Sequence, residues 1–284
     1  MNSFLRENLK LTQTMTPIVY EKKDPKRLMD EEIQTVLEKF PLISLSEMEN
    51  VQLLDRIDRK YVLPIQKITD VLNDLTEDYR ALFVRGRRLN HYRTLYFDTE
   101  DFLLYNLHIN DRKNRYKVRS REYVDSQSSF LEVKEKTNKG RTIKSRIPID
   151  FPISQMTSEM ENWVNSQIPM EDLHFEPKLW TNFTRITLVG INAPERVTLD
   201  FNLTVFNDFR AEQMNDIVIA EVKTEKTDQH SPFVEKMKMM HIHPQEFSKY
   251  TIGVSEIYDG MKKNKIKPTL LKISKIKREA QFYE

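Results

Sequence analysis

Charged residues stand at every second position in several short stretches of this chain, with uncharged residues between them. The clearest run is Arg115-Tyr116-Lys117-Val118-Arg119-Ser120-Arg121. Alternate side chains of a β-strand point to opposite faces, so this run places its four cations on one side. The same alternation recurs elsewhere. Asp58 and Lys60 share one face of a first strand, Ile57–Pro64. Glu132, Lys134 and Lys136 alternate with Leu131 and Val133; Lys144 and Arg146 alternate with Ile143 and Ile147. Arg196, Thr198 and Asp200 alternate with Val197, Leu199 and Phe201; Glu221 and Lys223 flank Val222.

This period of two predicts strands over Ile57–Pro64, His91–Asp98, Arg115–Val124, Phe130–Lys136, Arg141–Ile149, Lys178–Gly190, Arg196–Phe206 and Ile217–Thr224. Helical spacing predicts helices at Asp30–Lys39, Ile65–Leu75, Glu100–Ile109 (capped by Asp98-Thr99), Ser154–Ser166, Pro232–Met240 and Phe247–Met261. Thr137–Gly140 reads as a hairpin turn, and Asn207–Asp216 is polar and hairpin-like. Residues 1–40 read as a mobile N-terminal arm, 41–261 as the main domain, and 262–284 as a basic C-terminal tail.

On any one strand a charged face is ordinary solvated surface. Repeated on strand after strand, it points elsewhere. The expected fold is α+β: a closed eight-stranded antiparallel tunnel with helices packed outside. The helices cover the apolar faces, and the charged faces line the interior. A concave surface crowded with Lys and Arg repels itself unless a polyanion fills it, so a phosphate-rich ligand is the first expectation.

Composition narrows the chemistry. Only 5 Gly are present, and neither G-x-G-x-x-G nor G-x-x-x-x-G-K occurs. Cys is absent, which removes disulfides, thiolate catalysis and Cys-ligated zinc. The net charge of +2 lacks the excess of a nucleic-acid coat protein, so no nucleic-acid partner is expected. No apolar run is long enough to span a membrane, and the N-terminus lacks a secretory h-region, which makes a cytoplasmic location the default.

A divalent ion that bridges phosphates takes oxygen ligands and keeps several waters, so few carboxylates suffice. Glu221, Glu132, Asp58 and Asp200 are interspersed on the basic faces. Glu221 leads as a metal ligand because it lies on a late strand with Lys223 two residues on. For Glu132 and Asp200 an ion-pair role stands level with a metal role.

These residues resemble the VTC domain, the polyphosphate polymerase branch of the triphosphate tunnel metalloenzymes, related to the CYTH proteins. The resemblance runs from about Glu47 to Gly260. It is carried in order by Asp55-Arg56-Ile57-Asp58-Arg59-Lys60-Tyr61, Thr94-Leu95-Tyr96-Phe97-Asp98-Thr99 and Lys117-Val118-Arg119-Ser120-Arg121-Glu122-Tyr123. Phe130-Leu131-Glu132-Val133-Lys134, Lys144-Ser145-Arg146 and Asn182-Phe183-Thr184-Arg185 follow. Arg196-Val197-Thr198-Leu199-Asp200, Ala220-Glu221-Val222-Lys223 and Phe247-Ser248-Lys249-Tyr250 complete the set. The E-x-E-x-K entry pattern of the wider CYTH group is replaced by Arg56-x-Asp58-x-Lys60, which favours the VTC branch over a thiamine-triphosphatase.

The resemblance implies transfer of the ATP γ-phosphate onto a growing polyphosphate chain, with Mn²⁺ or Mg²⁺. Lys60, Arg119, Arg121, Lys134, Lys144, Arg185 and Lys249 are the implied catalytic phosphate grips. Lys117, Arg146, Arg196, Lys223 and Tyr61 are the implied further substrate contacts, and Glu221 with Glu132 the implied metal ligands. A tripolyphosphatase or nucleoside triphosphatase, or a non-catalytic polyphosphate sensor, would use the same tunnel. No SPX or membrane domain accompanies these motifs, so coupling to translocation is expected to need a separate membrane partner.

Overall fold

The computed structural model describes residues 25–50, 56–139, 141–225 and 230–281. Eleven strands form: β1 (Leu42–Ile43), β2 (Arg56–Pro64), β3 (Tyr79–Leu82), β4 (Asn90–Asp98), β5 (Arg115–Tyr123), β6 (Ser128–Lys136), β7 (Thr142–Ile149), β8 (Glu176–Gly190), β9 (Glu195–Phe206), β10 (Ala211–Met214) and β11 (Ile217–Glu225). The helices are α1 (Pro25–Leu37), α2 (Leu45–Asn50), α3 (Ile68–Asn73), α4 (Leu103–Ile109), α5 (Ser158–Ser166), α6 (Pro232–Met239), α7 (Lys249–Ile257) and α8 (Lys267–Ala280).

Eight strands run in one path, β2-β11-β9-β8-β4-β5-β6-β7. Every neighbouring pair on that path is antiparallel. All eight correspond to the strands predicted by alternation. The short strands β1, β3 and β10 branch from this path. They fell outside the prediction because two to four residues are too few to show a period.

The convex face of the sheet is apolar and covered by helices. Tyr61, Leu63, Val197, Leu199, Phe201, Ala220 and Val222 form one core there with Ile33 and Leu37 of α1, Val71 of α3 and Phe233 of α6. Leu95, Phe97, Val118, Leu131 and Val133 form a second with Leu104 of α4 and Val164 of α5. Each buried side chain of this size contributes roughly 1.5–3 kcal/mol, enough to hold the charged faces inward.

The concave face divides into two regions. At one end Leu179, Leu203, Val205, Ile217 and Ile219 pack against Tyr250, Ile252 and Val254 of α7. Leu179 is opposite Tyr96, and Tyr96 is opposite Arg119, so all three share the concave face. Helix α7 therefore fills one end of the interior, and the remainder is cationic. Ser248 caps α7 by accepting from the Thr251 N–H. Asp98 ties α7 to α4: its carboxylate accepts from the Leu104 and Tyr105 N–H groups at 2.8 Å and from the Tyr250 hydroxyl.

The antiparallel eight-stranded sheet with helices outside is the expected fold. No β2–β7 hydrogen-bonded pairing is present among the described residues, and the segment 245–248 reaches from β2 to β5. There the Gln245 N–H donates to the Lys60 carbonyl at 2.8 Å, and Lys117 Nζ donates to Ser248 Oγ at 2.8 Å. Within the N-terminal arm the helix expected at Asp30–Lys39 forms as α1, Pro25–Leu37, because Ile33, Leu37 and Phe40 close the convex core; residues 1–24 lie outside the described residues. Residues 267–280 of the supposed basic tail form α8, whose Ile273 and Ile276 join the core around α7. Asp55 and Gly140, used in the sequence reading, lie outside the described residues.

Candidate active site: a cationic interior

Register places the charged residues in rows across the concave face. On one flank Lys117 is opposite Lys134, which is opposite Lys144; Arg119 is opposite Glu132, which is opposite Arg146; Arg121 is opposite Phe130. On the other flank Lys60 is opposite Glu221, Glu221 is opposite Thr198, and Arg185 is opposite Asp200. Curling of the sheet brings the two flanks face to face. Lys134 of β6 is pushed down to about 8, by burial first and then by the charges of Arg119, Lys60 and Lys223, with Glu221 opposing. Lys117 is held well below the usual lysine range by burial and by Lys134, Lys60 and Arg119.

Three carboxylates each hold two cationic side chains. Glu132 is fully buried; its Oε2 accepts from Arg119 Nε at 2.7 Å and Nη2 at 2.6 Å, and its Oε1 faces Lys144. Asp200 takes Arg185 in two hydrogen bonds, 2.5 Å and 2.7 Å, and pairs with Lys249. Glu221 pairs with Lys60 and with Lys223, both at 2.9 Å. Burial opposes ionisation of Glu132 and Asp200, yet the cations outweigh it and hold both at about 2. Glu221 is likewise held well below the usual carboxylate range by Lys223 and Lys60 against burial.

Lys117, Arg121, Lys134 and Arg146 have no carboxylate at ion-pair distance among the described residues, whereas Arg115 at the start of β5 pairs with Asp111. Lys117 has Ser248, and Arg121 donates to Thr94 Oγ1 at 3.2 Å. Arg146 lies over the Phe130 ring at 4.4 Å. Aromatic rings line the floor: Arg185 lies 4.8 Å over Tyr92, and Lys249 lies 4.3 Å over Phe183. A cavity of about 1090 Å³ opens beside Lys60, Lys117 and Lys134, and its wall continues to Lys136, Lys139 and Arg141. Arg119 and Arg121 lie outside that wall, further along β5, and Arg185 lies outside it on β8.

The structure thus gathers Lys60, Lys117, Arg119, Arg121, Lys134, Lys144, Arg146, Arg185, Lys223, Lys249, Glu132 and Glu221 on one face. Lys144 and Arg146 are the most exposed of them, because β7 is the edge strand. Two residues depart from the expected set. Tyr61 is 2% exposed and lies in the convex core, edge-on to Phe233 at 6.0 Å; neighbours in a strand point to opposite faces, so it cannot share a site with Lys60. Arg196 is opposite Lys223, but its guanidinium reaches away to the Met48 carbonyl at 3.0 Å.

No group of three carboxylates or histidines that could hold a metal ion occurs among the described residues. Glu132 and Asp200 are enclosed by their cations. Glu221 keeps 18% of its side chain exposed, and it fits a divalent cation as a single ligand if phosphate oxygens supply others.

Tyr92 was not singled out by the sequence, and Thr94, Tyr96, Phe183 and Ser248 appeared only inside motif segments, with no role assigned. On β4 the inward Tyr92, Thr94 and Tyr96 alternate with Arg93, Leu95 and Phe97, so both faces carry large side chains and the period is hidden. A serine two residues before the α7 tyrosine was the available signal for Ser248, as a helix cap.

These features define a curled antiparallel sheet whose basic interior suits a polyanion. The chain belongs to the VTC domain family, which matches residues 55–270. No curated protein sequence matches it. Among solved structures it is similar to a candidate adenylyl cyclase from Hippeastrum described as having dominant triphosphatase activity, at 17% identity, 72% of this chain, 98% of that chain and a TM-score of 0.46. A candidate adenylate cyclase from Bacillus halodurans follows at 15% identity, 68% of this chain, 94% of that chain and a TM-score of 0.43. A Pyrococcus horikoshii protein aligns at 11% identity, over 71% of this chain and 99% of that chain, with a TM-score of 0.40.

Proposed function

We propose that this protein is an ATP-dependent polyphosphate polymerase that adds the ATP γ-phosphate to a growing chain inside its basic interior. The terminal oxygen of the acceptor chain attacks the γ-phosphorus, the β–γ bridging P–O bond breaks, and ADP leaves with the electron pair. Such a transfer requires positioning and charge stabilisation more than covalent help. Arg119, Arg121, Arg185 and Lys144 grip phosphate oxygens, and Lys60, Lys134 and Lys249 complete the cationic ring. Lys117, Arg146 and Lys223 extend it along the chain. Glu221 would hold Mn²⁺ or Mg²⁺, which when bound offsets charge on bridging phosphate oxygens.

The observation that carries this reading is the imbalance of the interior: Lys117, Lys134, Arg121 and Arg146 face it without a carboxylate partner.

No described helix is long and apolar enough to cross a membrane. A cytoplasmic location, and a separate membrane partner for any translocation, belong to the same proposal. Incubation of the purified protein with ATP and Mn²⁺, resolved on gels, tests it. Polyphosphate ladders with ADP are expected. Orthophosphate without chains would mark a triphosphatase, and binding without turnover a sensor; either contradicts the polymerase.

A further inference from the structure

From Lys262 to Arg278 every charged residue is Lys or Arg. Some of these cations serve the fold: Lys265 pairs with Asp111 and Glu246, and Lys277 with Glu212. The others belong to an open surface. Thr269, Ile273 and Ile276 bury one side of α8, so the helical period turns Lys267, Leu271, Lys275 and Arg278 outward, and all four are exposed. Lys262 and Lys263, just before the helix, are exposed as well. Lys262, Lys263, Lys267 and Arg278 have no carboxylate at ion-pair distance among the described residues. Lys275 meets Glu279 at 3.7 Å across one turn of exposed helix, a pair of little strength.

A charged outer face is ordinary on a surface helix. Two apolar side chains set this one apart. Leu271, in the middle of the outward row, is 61% exposed, and Phe209, in the turn between β9 and β10, is 95% exposed. Phe209 and Glu212 lie within roughly 10 Å of each other along the chain, and Glu212 holds Lys277 at 2.7 Å. The turn and the last part of α8 are therefore neighbours on one surface.

Cations this dense repel one another until counter-charge meets them. A phosphate backbone would neutralise the cations and leave Leu271 in water. A bilayer with acidic headgroups offers both halves. Its anionic groups lie at the level of the Lys and Arg heads, and its acyl chains lie beneath for Leu271 and Phe209. We propose that the outer face of α8, with Lys262, Lys263 and the Phe209 turn, docks the protein on an anionic lipid surface. The docking is independent of what the interior binds, because none of these side chains lines the cavity.

Sedimentation with vesicles tests it. Wild type should pellet with equimolar phosphatidylcholine and phosphatidylserine and stay in solution with phosphatidylcholine alone. Lys267→Gln, Lys275→Gln and Arg278→Gln together should weaken partitioning by about a hundredfold. Leu271→Ser with Phe209→Ser should weaken it by about tenfold. All five positions are exposed, so both variants should keep the wild-type melting temperature and bind tripolyphosphate as wild type does. Lys262→Gln with Lys263→Gln, outside the helix, reads the same loss should a helix variant unfold.

Pelleting with phosphatidylcholine alone, or unchanged partitioning of either helix variant, would overturn the proposal. So would wild type that stays in solution with both vesicles; capture by single-stranded DNA or by polyglutamate in that case would reassign the face to a nucleic acid or an acidic protein. Loss of tripolyphosphate binding along with vesicle binding in the charge variant would place the headgroups in the interior, and overturns it too.

Discussion

Lys134 on β6 lies in the field of Glu221 on β11, although β9, β8, β4 and β5 stand between their strands in the sheet. Only curling of the sheet brings them together, and the interior charge follows from it. Burial and the neighbouring cations hold Lys134 at about 8, below its ordinary 10.5. It is therefore half-deprotonated near pH 8 in the free protein, and phosphate binding should weaken as pH rises through 8. In the ligand-free protein the sign is opposite. The unfolded state binds the proton more tightly between 8 and 10.5, so the destabilisation caused by Lys134 is full below 8 and relieved across that window. Lys134→Met should raise the melting temperature of the free protein below pH 8 while weakening tripolyphosphate binding. Loss of both stability and binding would contradict this.

Arg119 and Arg121 share a face but differ in partners. Arg119 holds Glu132, whereas Arg121 has Thr94 and aromatic faces. Either alanine substitution should weaken triphosphate binding by about 1–3 kcal/mol. Only Arg119→Ala also leaves a fully buried carboxylate with a single cationic partner, so its urea midpoint should fall further. Equal midpoints in the two variants would contradict the pairing described.

Much of this site was legible because its period is two. Lys117, Arg119, Arg121, Lys134, Lys144 and Arg146 alternate with apolar or small residues, and the structure puts them on one face. The same rule excludes Tyr61, which was brought in by its adjacency to Lys60 in a motif. What stayed hidden lacks contrast. Tyr92, Thr94 and Tyr96 sit on a strand with large side chains on both faces. The apolar stripe of α8, Ile273 and Ile276, is diluted by Lys272, Lys275 and Lys277. Pairings such as Asp200 with Arg185 and Lys249 depend on contacts distant in the chain, which local spacing does not encode.

Acid should unfold the interior in a defined window. Glu132 falls from an ordinary 4.5, and Asp200 from 3.8, to about 2, because their cations outweigh burial. Their stabilisation is present above the ordinary values and is lost as pH drops towards 2. Thermal melts should show a steep decline across that interval, shallower in Glu132→Gln. A wild-type profile that stays flat there would contradict the ion pairs.

Gly253 lets α7 approach the sheet. A Cβ at that position would lie 2.5 Å from Leu179 Cδ2 and 3.1 Å from Val205 Cγ1. Gly253→Val should therefore cost about 1–3 kcal/mol by overpacking. Displacement of α7 also moves Lys249 at its first position, so tripolyphosphate affinity should fall. A destabilised variant with unchanged affinity would separate α7 from the site.

The central claim is that cations from separate strands converge on one phosphate chain. A crystal structure with tripolyphosphate bound tests it most directly. Phosphate oxygens should lie within hydrogen-bond distance of Arg119, Arg121 and Arg185, with Lys134 and Lys144 alongside. Density for the ligand on the outer surface, with those five side chains untouched, would contradict the account.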